Sequence, residues 1–327
     1  MLKTFQTFSW IVIALTMALG FSQEIPQADI SNGVLHAKLY LPDAENGYYR
    51  ATRFDWSGLM PHLEFEGHTY FGKWFKNYDP KSHESVMGPV EAFSQIGYEE
   101  AKVGEEFLKI GVGTLVKPKE PKHLSHKYYE IRNSGKWEIS KKPNELIFKH
   151  LLNTSKYTYE YVKSIRLTKG KPEMMLHHKF TNTGPKTIET QVFNHNFFFI
   201  DKQPIGKGYV VKFPYTIEPK GSIIGIDEFA KISTNKIEFI ETIPDGKKVY
   251  IQSVGGFDPE SKHYEFSIEN RNTGAGVKVV GNKPLTKLVF WSSTKTLCPE
   301  PYFNIEAKPG ETIYWDITYT FYNLNKK

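Results

Sequence analysis

The chain has 327 residues, with 42 Lys and Arg against 36 Asp and Glu, a formal net charge of +6, 15% aromatic residues and a single cysteine, Cys298. One cysteine excludes an intramolecular disulfide framework and a Cys-rich zinc site, so stability has to come from packing. A mean hydropathy of -0.45, with the one long apolar stretch at the extreme N-terminus, excludes a polytopic membrane protein, and the aromatic content excludes a disordered chain.

Residues 1–22 read as a cleavable secretory signal: Lys3, an apolar run over 11–21 and a small-residue exit at Gly20-Phe21-Ser22. The run is short of the roughly 20 residues that span a bilayer, so no integral membrane insertion is expected after cleavage, and the mature chain is exported, periplasmic or secreted. Residues 23–327 contain no Pro- or Ser-rich linker, low-complexity tract or internal repeat and read as a single domain. Their Lys and Arg are interspersed with carboxylates, the pattern of a solvated surface rather than of a nucleic-acid-binding stripe.

Period-two alternation dominates the rest of the chain. In 33–41, Leu35, Ala37, Leu39 and Leu41 share one face, which predicts a half-buried strand. The acidic stretch 97–107, with two glycines, predicts a loop. In 157–167, Tyr157, Tyr159, Tyr161, Ile165 and Leu167 line one face, and Lys169-Gly170-Lys171-Pro172 supplies a turn. A strand with Met174, Leu176, His178 and Phe180 on one face follows, then a turn at Asn182-Thr183-Gly184-Pro185 and a third strand toward Phe197, which together predict an antiparallel meander. Near the C-terminus, 288–292 form a compact apolar strand. Lys308-Pro309-Gly310-Glu311 then predicts a tight reversal into a last strand with Ile313, Trp315, Ile317, Tyr319 and Phe321 on one face. The fold class is all-β, a large antiparallel β-sandwich.

Three segments place polar groups among apolar ones. His195, flanked by Asn194 and Asn196 in an aromatic run, has the setting of a general acid, or of a satisfied core histidine. Glu300, between Pro299 and Pro301, reads as a preorganised base, or as a polar residue in a Pro-punctuated loop. Cys298 reads as a small buried residue. His177 and His178 are adjacent in a strand and point to opposite faces, so they cannot share a metal ion, and His123 and His126 have no zinc-site spacing. No phosphate-binding loop, dinucleotide glycine fingerprint or serine elbow is present, and no cofactor is expected.

In order and spacing these segments resemble the galactose mutarotase-like family, the aldose 1-epimerases and hexose-phosphate epimerase relatives. Asn194-His195-Asn196-Phe197-Phe198 is similar to the family's Asn-His-x-x-Phe motif. Glu300 precedes Pro309-Gly310-Glu311 as the family's catalytic Glu precedes its Pro-Gly-Glu turn, and Arg53-Phe54-Asp55-Trp56-Ser57-Gly58 is similar to its opening strand pair. The resemblance implies the supersandwich fold, a free sugar or oligosaccharide as substrate and no cofactor. It implies His195 as acid and Glu300 as base, with Asn194, His178, Arg53 and Glu91 as candidate hydroxyl contacts and Trp291 or Tyr302 stacking on the sugar. The family's His-Gly-Gly motif and sugar-binding Arg have no counterpart in Met87-Gly88-Pro89-Val90-Glu91-Ala92-Phe93, so the sugar need not be galactose. Two other readings suit the same fold class: a non-catalytic carbohydrate-binding protein, and a lyase or glycosidase with a second acidic residue or a Tyr facing Glu300. The epimerase reading expects His195 and Glu300 across one cleft, separated by about the size of a sugar ring.

Overall fold

A computed structural model describes residues 24–261 and 263–326; the signal reading of residues 1–22 lies outside them. Two large antiparallel sheets dominate. The ten-stranded sheet runs in the order Ala230–Ser233, Lys236–Phe239, Tyr209–Lys212, Tyr264–Asn270, Ala275–Gly281, Thr312–Asn323, Glu173–Asn182, Thr158–Leu167, Glu145–Asn153, Lys136–Lys142. The six-stranded sheet runs Glu218–Ile224, Val249–Gly255, Lys287–Ser293, Thr296–Ala307, Ile188–Phe197, Gly88–Phe93. Smaller sheets hold Gln27–Ser31 to His68–Thr69 and Glu106–Lys109 to Ile131–Asn133. Among the described residues no helix is long and apolar enough to cross a membrane.

Alternation in the sequence becomes alternation in burial. Leu35, Ala37 and Leu39 are buried while His36 is exposed, and Met174, Leu176, His178 and Phe180 are buried while their neighbours are half-exposed. The inward faces of the two large sheets meet in one core: Trp315 of the ten-stranded sheet lies 6.0 Å from Phe303 and 6.3 Å from Phe93 of the six-stranded one, ring to ring. A second core covers part of the six-stranded sheet's other face. There Val90, Ala92, Phe197 and Cys298 pack against Tyr49, Phe54, Trp56 and Phe107 from the N-terminal loops and the three-stranded sheet. Both faces of this sheet are therefore apolar over much of their area, and the strand Gly88–Phe93 is buried at all six positions.

Three expectations are corrected. The strand Ile188–Phe197 does not extend a meander from Glu173–Asn182; it crosses to the six-stranded sheet, between Thr296–Ala307 and Gly88–Phe93. Local alternation sets a strand's faces but not its partner, which is chosen by the core the strand completes. The Pro-punctuated stretch around Glu300 is no loop but part of the twelve-residue strand Thr296–Ala307, and the reversal at Pro309-Gly310 carries the chain from that strand into the other sheet. The segment from Arg53 to Gly58, expected as strand, is a series of turns tied down by Asp55 N–H donating to Glu91 O (2.9 Å) and Trp56 Nε1 donating to Ala51 O (2.8 Å). Gly58 adopts φ +85°, and a side chain there would meet Lys163 Nζ at 2.8 Å, so the close approach of this loop to the core requires glycine. The stretch 97–107 runs as turns into the strand Glu106–Lys109, as its glycines predict.

Candidate active site

The outward face of the six-stranded sheet, where the second core leaves it uncovered, holds a cavity of about 370 Å³. Period-two geometry decides which side chains enter it. Lys287, Val289 and Trp291 alternate along one strand, Glu300 and Tyr302 along the next, and His195 and Phe197 along the third, all pointing to the same side. Arg53, Trp74 and His83 close the cavity from the N-terminal loops, and Tyr250 from the strand Val249–Gly255.

His195 and Glu300 face one another across a gap in the sheet. Val192↔Phe303 and Phe193↔Tyr302 are paired on one side of the gap and Phe198↔Leu297 bridges on the other, in the same register, which sets His195 opposite Glu300. The ladder lapses between because Pro299 and Pro301 have no N–H. Asn196 Nδ2 donates to Pro299 O (3.0 Å), so a side-chain amide links the two strands where the prolines supply no main-chain donor. The carboxylate Oε1 of Glu300 lies 3.3 Å from Nε2 of His195, and both residues are almost fully buried, at 5% and 3% exposure. The imidazole is held by stacking on Phe197 (3.9 Å between ring centres) and by the edges of Phe54 and Trp291. Tyr302 donates its hydroxyl to Glu300 Oε2 (3.3 Å) and stacks on Phe193.

Burial sets the electrostatics. Desolvation raises the Glu300 carboxyl to about 7, against the opposing pull of Arg53, Tyr302 and Lys287. Desolvation, reinforced by Arg53, pushes the His195 imidazole well below its usual value. Close to neutrality the pair thus holds about one proton, shared across a hydrogen-bond contact, and such a pair can deliver one proton while accepting another.

Of the residues singled out in the sequence, His195, Glu300, Arg53, Trp291 and Tyr302 meet at this cavity. Asn194, Glu91 and His178 do not, and their assignment as hydroxyl contacts is corrected. Each is 1% exposed or less and belongs to a polar network between the two large sheets. There Glu91 accepts from Lys163 in a buried ion pair and from Asn194 Nδ2 (2.9 Å), and lies 3.1 Å from His178 Nε2. The physical reason is again period two: Asn194 neighbours His195 in its strand and so points to the opposite face. His177, on the outer side, pairs with Asp316, so the two adjacent histidines do point apart. No cluster of three or more metal-ligating side chains occurs among the described residues.

The sequence reading missed Trp74, His83, Tyr250 and Lys287. Lys287 had a signal: it lies four residues before Trp291 in one strand and so shares its face. Trp74 and His83 come from irregular segments whose path no local pattern encodes.

No family model matches the sequence, and no curated protein sequence matches it. Similarity emerges in three dimensions. A galactose mutarotase-like protein of Clostridium acetobutylicum is 14% identical over 91% of this chain and 95% of its own, with a TM-score of 0.54. A galactose mutarotase related enzyme of Lactobacillus acidophilus is 10% identical over 92% and 99%, at 0.52. A candidate aldose 1-epimerase of Escherichia coli K12 is 12% identical over 92% and 100%, also at 0.52. The fold is the galactose mutarotase-like β-sandwich. At these identities the likeness defines the architecture alone.

Proposed function

We propose that the protein is an aldose 1-epimerase, interconverting the α and β anomers of a free sugar by opening and reclosing its ring. The observation that carries this reading is the buried pair His195 and Glu300, set opposite one another in a cavity whose volume lies at the low end for small-molecule sites. The hydroxyl oxygen O1 and the ring oxygen O5 of an aldose share one carbon, so the acid and base of this reaction serve neighbouring atoms. A contact of 3.3 Å suits that requirement better than the ring-wide separation expected from the sequence.

In the resting pair the proton belongs to Glu300, whose carboxyl is raised while the imidazole is lowered; the reactive form is the tautomer in which that proton has passed across the 3.3 Å contact to His195, leaving Glu300 a carboxylate. Glu300 takes the proton of O1–H while His195 Nε2–H delivers one to O5; the C1–O5 bond breaks, leaving an aldehyde at C1 and a hydroxyl on C5. Rotation about C1–C2 turns the other face of the carbonyl toward the C5 hydroxyl. On reclosure His195 recovers its proton from O5, and Glu300 returns one to O1. The pair ends with the proton it began with, and both transfers are made by side chains. Trp291, Trp74 and Tyr302 offer apolar surface to the sugar ring, and Arg53 offers donors. With residues 1–22 as a leader, the reaction takes place outside the cytoplasm, on sugars met there.

The test follows freshly dissolved α-anomers of several aldoses toward anomeric equilibrium by proton NMR, with the wild type, Glu300→Gln and His195→Asn. Wild-type acceleration that each substitution cuts by about a hundredfold or more is expected, the scale of a lost general acid or base. A folded wild type that accelerates none of them, anionic aldoses included, sinks the reading in favour of carbohydrate binding.

A further inference from the structure

The cavity's cations lack the partners that cations of this kind usually have. Among the described residues Arg53 forms no ion pair and its side chain makes no hydrogen bond. Its Nε is buried without a partner, and its guanidinium lies over the Phe54 ring, 4.8 Å from the centre. A guanidinium nitrogen withdrawn from water with nothing to bond to is costly unless a ligand supplies the acceptor. Lys287, which enters the cavity from the strand Lys287–Ser293, also forms no ion pair among the described residues and reaches over the Tyr302 ring, 5.4 Å from its centre. Two carboxyl groups border the same space. Glu84 is exposed, where water screens its charge, and Glu300 is engaged by His195 and Tyr302. The cavity thus carries a surplus of positive charge around the reacting pair.

We propose that Arg53, supported by Lys287, receives an anionic group on the sugar, so that the preferred substrate is an acidic sugar rather than a neutral aldose. This rests on the epimerase reading for the reaction but not for the binding. The shared chemistry is an oxyanion carried by a monosaccharide. The planar fork of a guanidinium donates to carboxylate, sulfate and phosphate oxygens in pairs, and charge-assisted bonds of that kind are stronger than bonds to hydroxyls. The placement suits an acid group near the ring oxygen: a uronate carries its carboxylate on C5, one bond from O5, and Arg53 stands close enough to act on the charges of both His195 and Glu300.

The experiment compares D-glucuronate, D-galacturonate, galactose 6-sulfate and glucose 6-phosphate with glucose and galactose. Anomerisation rates are read by proton NMR, and binding is read separately by calorimetry, for the wild type, Arg53→Gln and Arg53→Lys. The wild type is expected to favour at least one anionic sugar by about ten- to a hundredfold in kcat/KM and in Kd, the range of a hydrogen-bonded ionic contact. Arg53→Gln should erase that preference and Arg53→Lys retain part of it. Whichever anion leads names the oxyanion. Preferential binding of an anionic sugar that Arg53→Gln abolishes, with no sugar anomerised, keeps this assignment and sinks the epimerase reading. Equal or better treatment of the neutral aldoses by the wild type overturns the assignment, as does a preference that survives Arg53→Gln. If Arg53→Gln does not fold, the wild-type preference decides by its salt dependence: weakening as NaCl rises supports the ionic contact, and indifference to salt overturns it.

Discussion

Glu300 and His195 are two ordinary titratable groups displaced in opposite directions by one cause, loss of water. The carboxyl is held near 7 and the imidazole well below its usual value, so the single proton of the pair is lost as pH rises through about 7. A reaction that needs that proton on His195 and a carboxylate on Glu300 should therefore hold its rate through mildly acidic pH. Above about 7, kcat/KM should then fall by about tenfold per pH unit, as for any essential acid. Initial rates of anomerisation, corrected for the spontaneous reaction, check this. A rate that climbs through 7 would mean that an ionised Glu300 beside a neutral His195 is the working form. The same group also enters stability: between 4.5 and about 7 the folded protein keeps a proton that the unfolded chain has released, so the ionisation of Glu300 opposes folding as pH rises across that window. At this scale His195 could be singled out in the sequence as a polar residue in an aromatic run and Glu300 as a carboxylate fixed between two prolines, while their pairing as acid and base came from the resemblance to the family. Arg53 could be named there, but not its isolation, which depends on what else surrounds it.

The element that assembles the pair is the interrupted ladder between Ile188–Phe197 and Thr296–Ala307. Two prolines remove main-chain donors where the site lies, and Asn196 restores a link. Its Oδ1 accepts from Tyr319 (2.7 Å), so the strand of His195 is also held to the opposite sheet. Asn196→Leu keeps the volume but leaves Pro299 O without its buried donor, a loss of about 1–3 kcal/mol in denaturant unfolding. Because the link keeps His195 facing Glu300, kcat should fall more than KM rises. An unchanged unfolding midpoint together with unchanged kcat would show that the gap needs no bridge. Pro299 and Pro301 made the sequence look like a loop here, since proline is expected at strand edges. The strand survives because the bonds to Lys287–Ser293 on its other side remain, with Glu300 paired to Val289.

Across the whole molecule the two large sheets are joined by hydrophobic packing and by the buried network around Glu91. Burial alone would raise the Glu91 carboxyl, but Lys163 and His178 outweigh it and hold it at about 2. The stability this contributes is present above the unfolded value of 4.5 and is lost as pH falls through about 2. Glu91→Ala leaves Lys163 charged and unpaired at 0% side-chain exposure, and should cost about 3–5 kcal/mol of unfolding free energy. Adding Lys163→Met should recover part of that loss, since the stranded charge goes with it; a double variant no more stable than Glu91→Ala would refute this account. Alternation along the chain determined by itself that the protein is all-β and which face of each strand is apolar, because side chains in an extended chain point alternately to either side whatever the strand pairs with. The choice of partners was decided only by tertiary structure: that Ile188–Phe197 leaves its neighbour for the other sheet, that Glu91, Asn194 and His178 turn into the core, and that Arg53 arrives from a loop beside His195 and Glu300. Those outcomes depend on burying two sheets against one another and on covering one outer face, conditions that hold only when distant parts of the chain are present together.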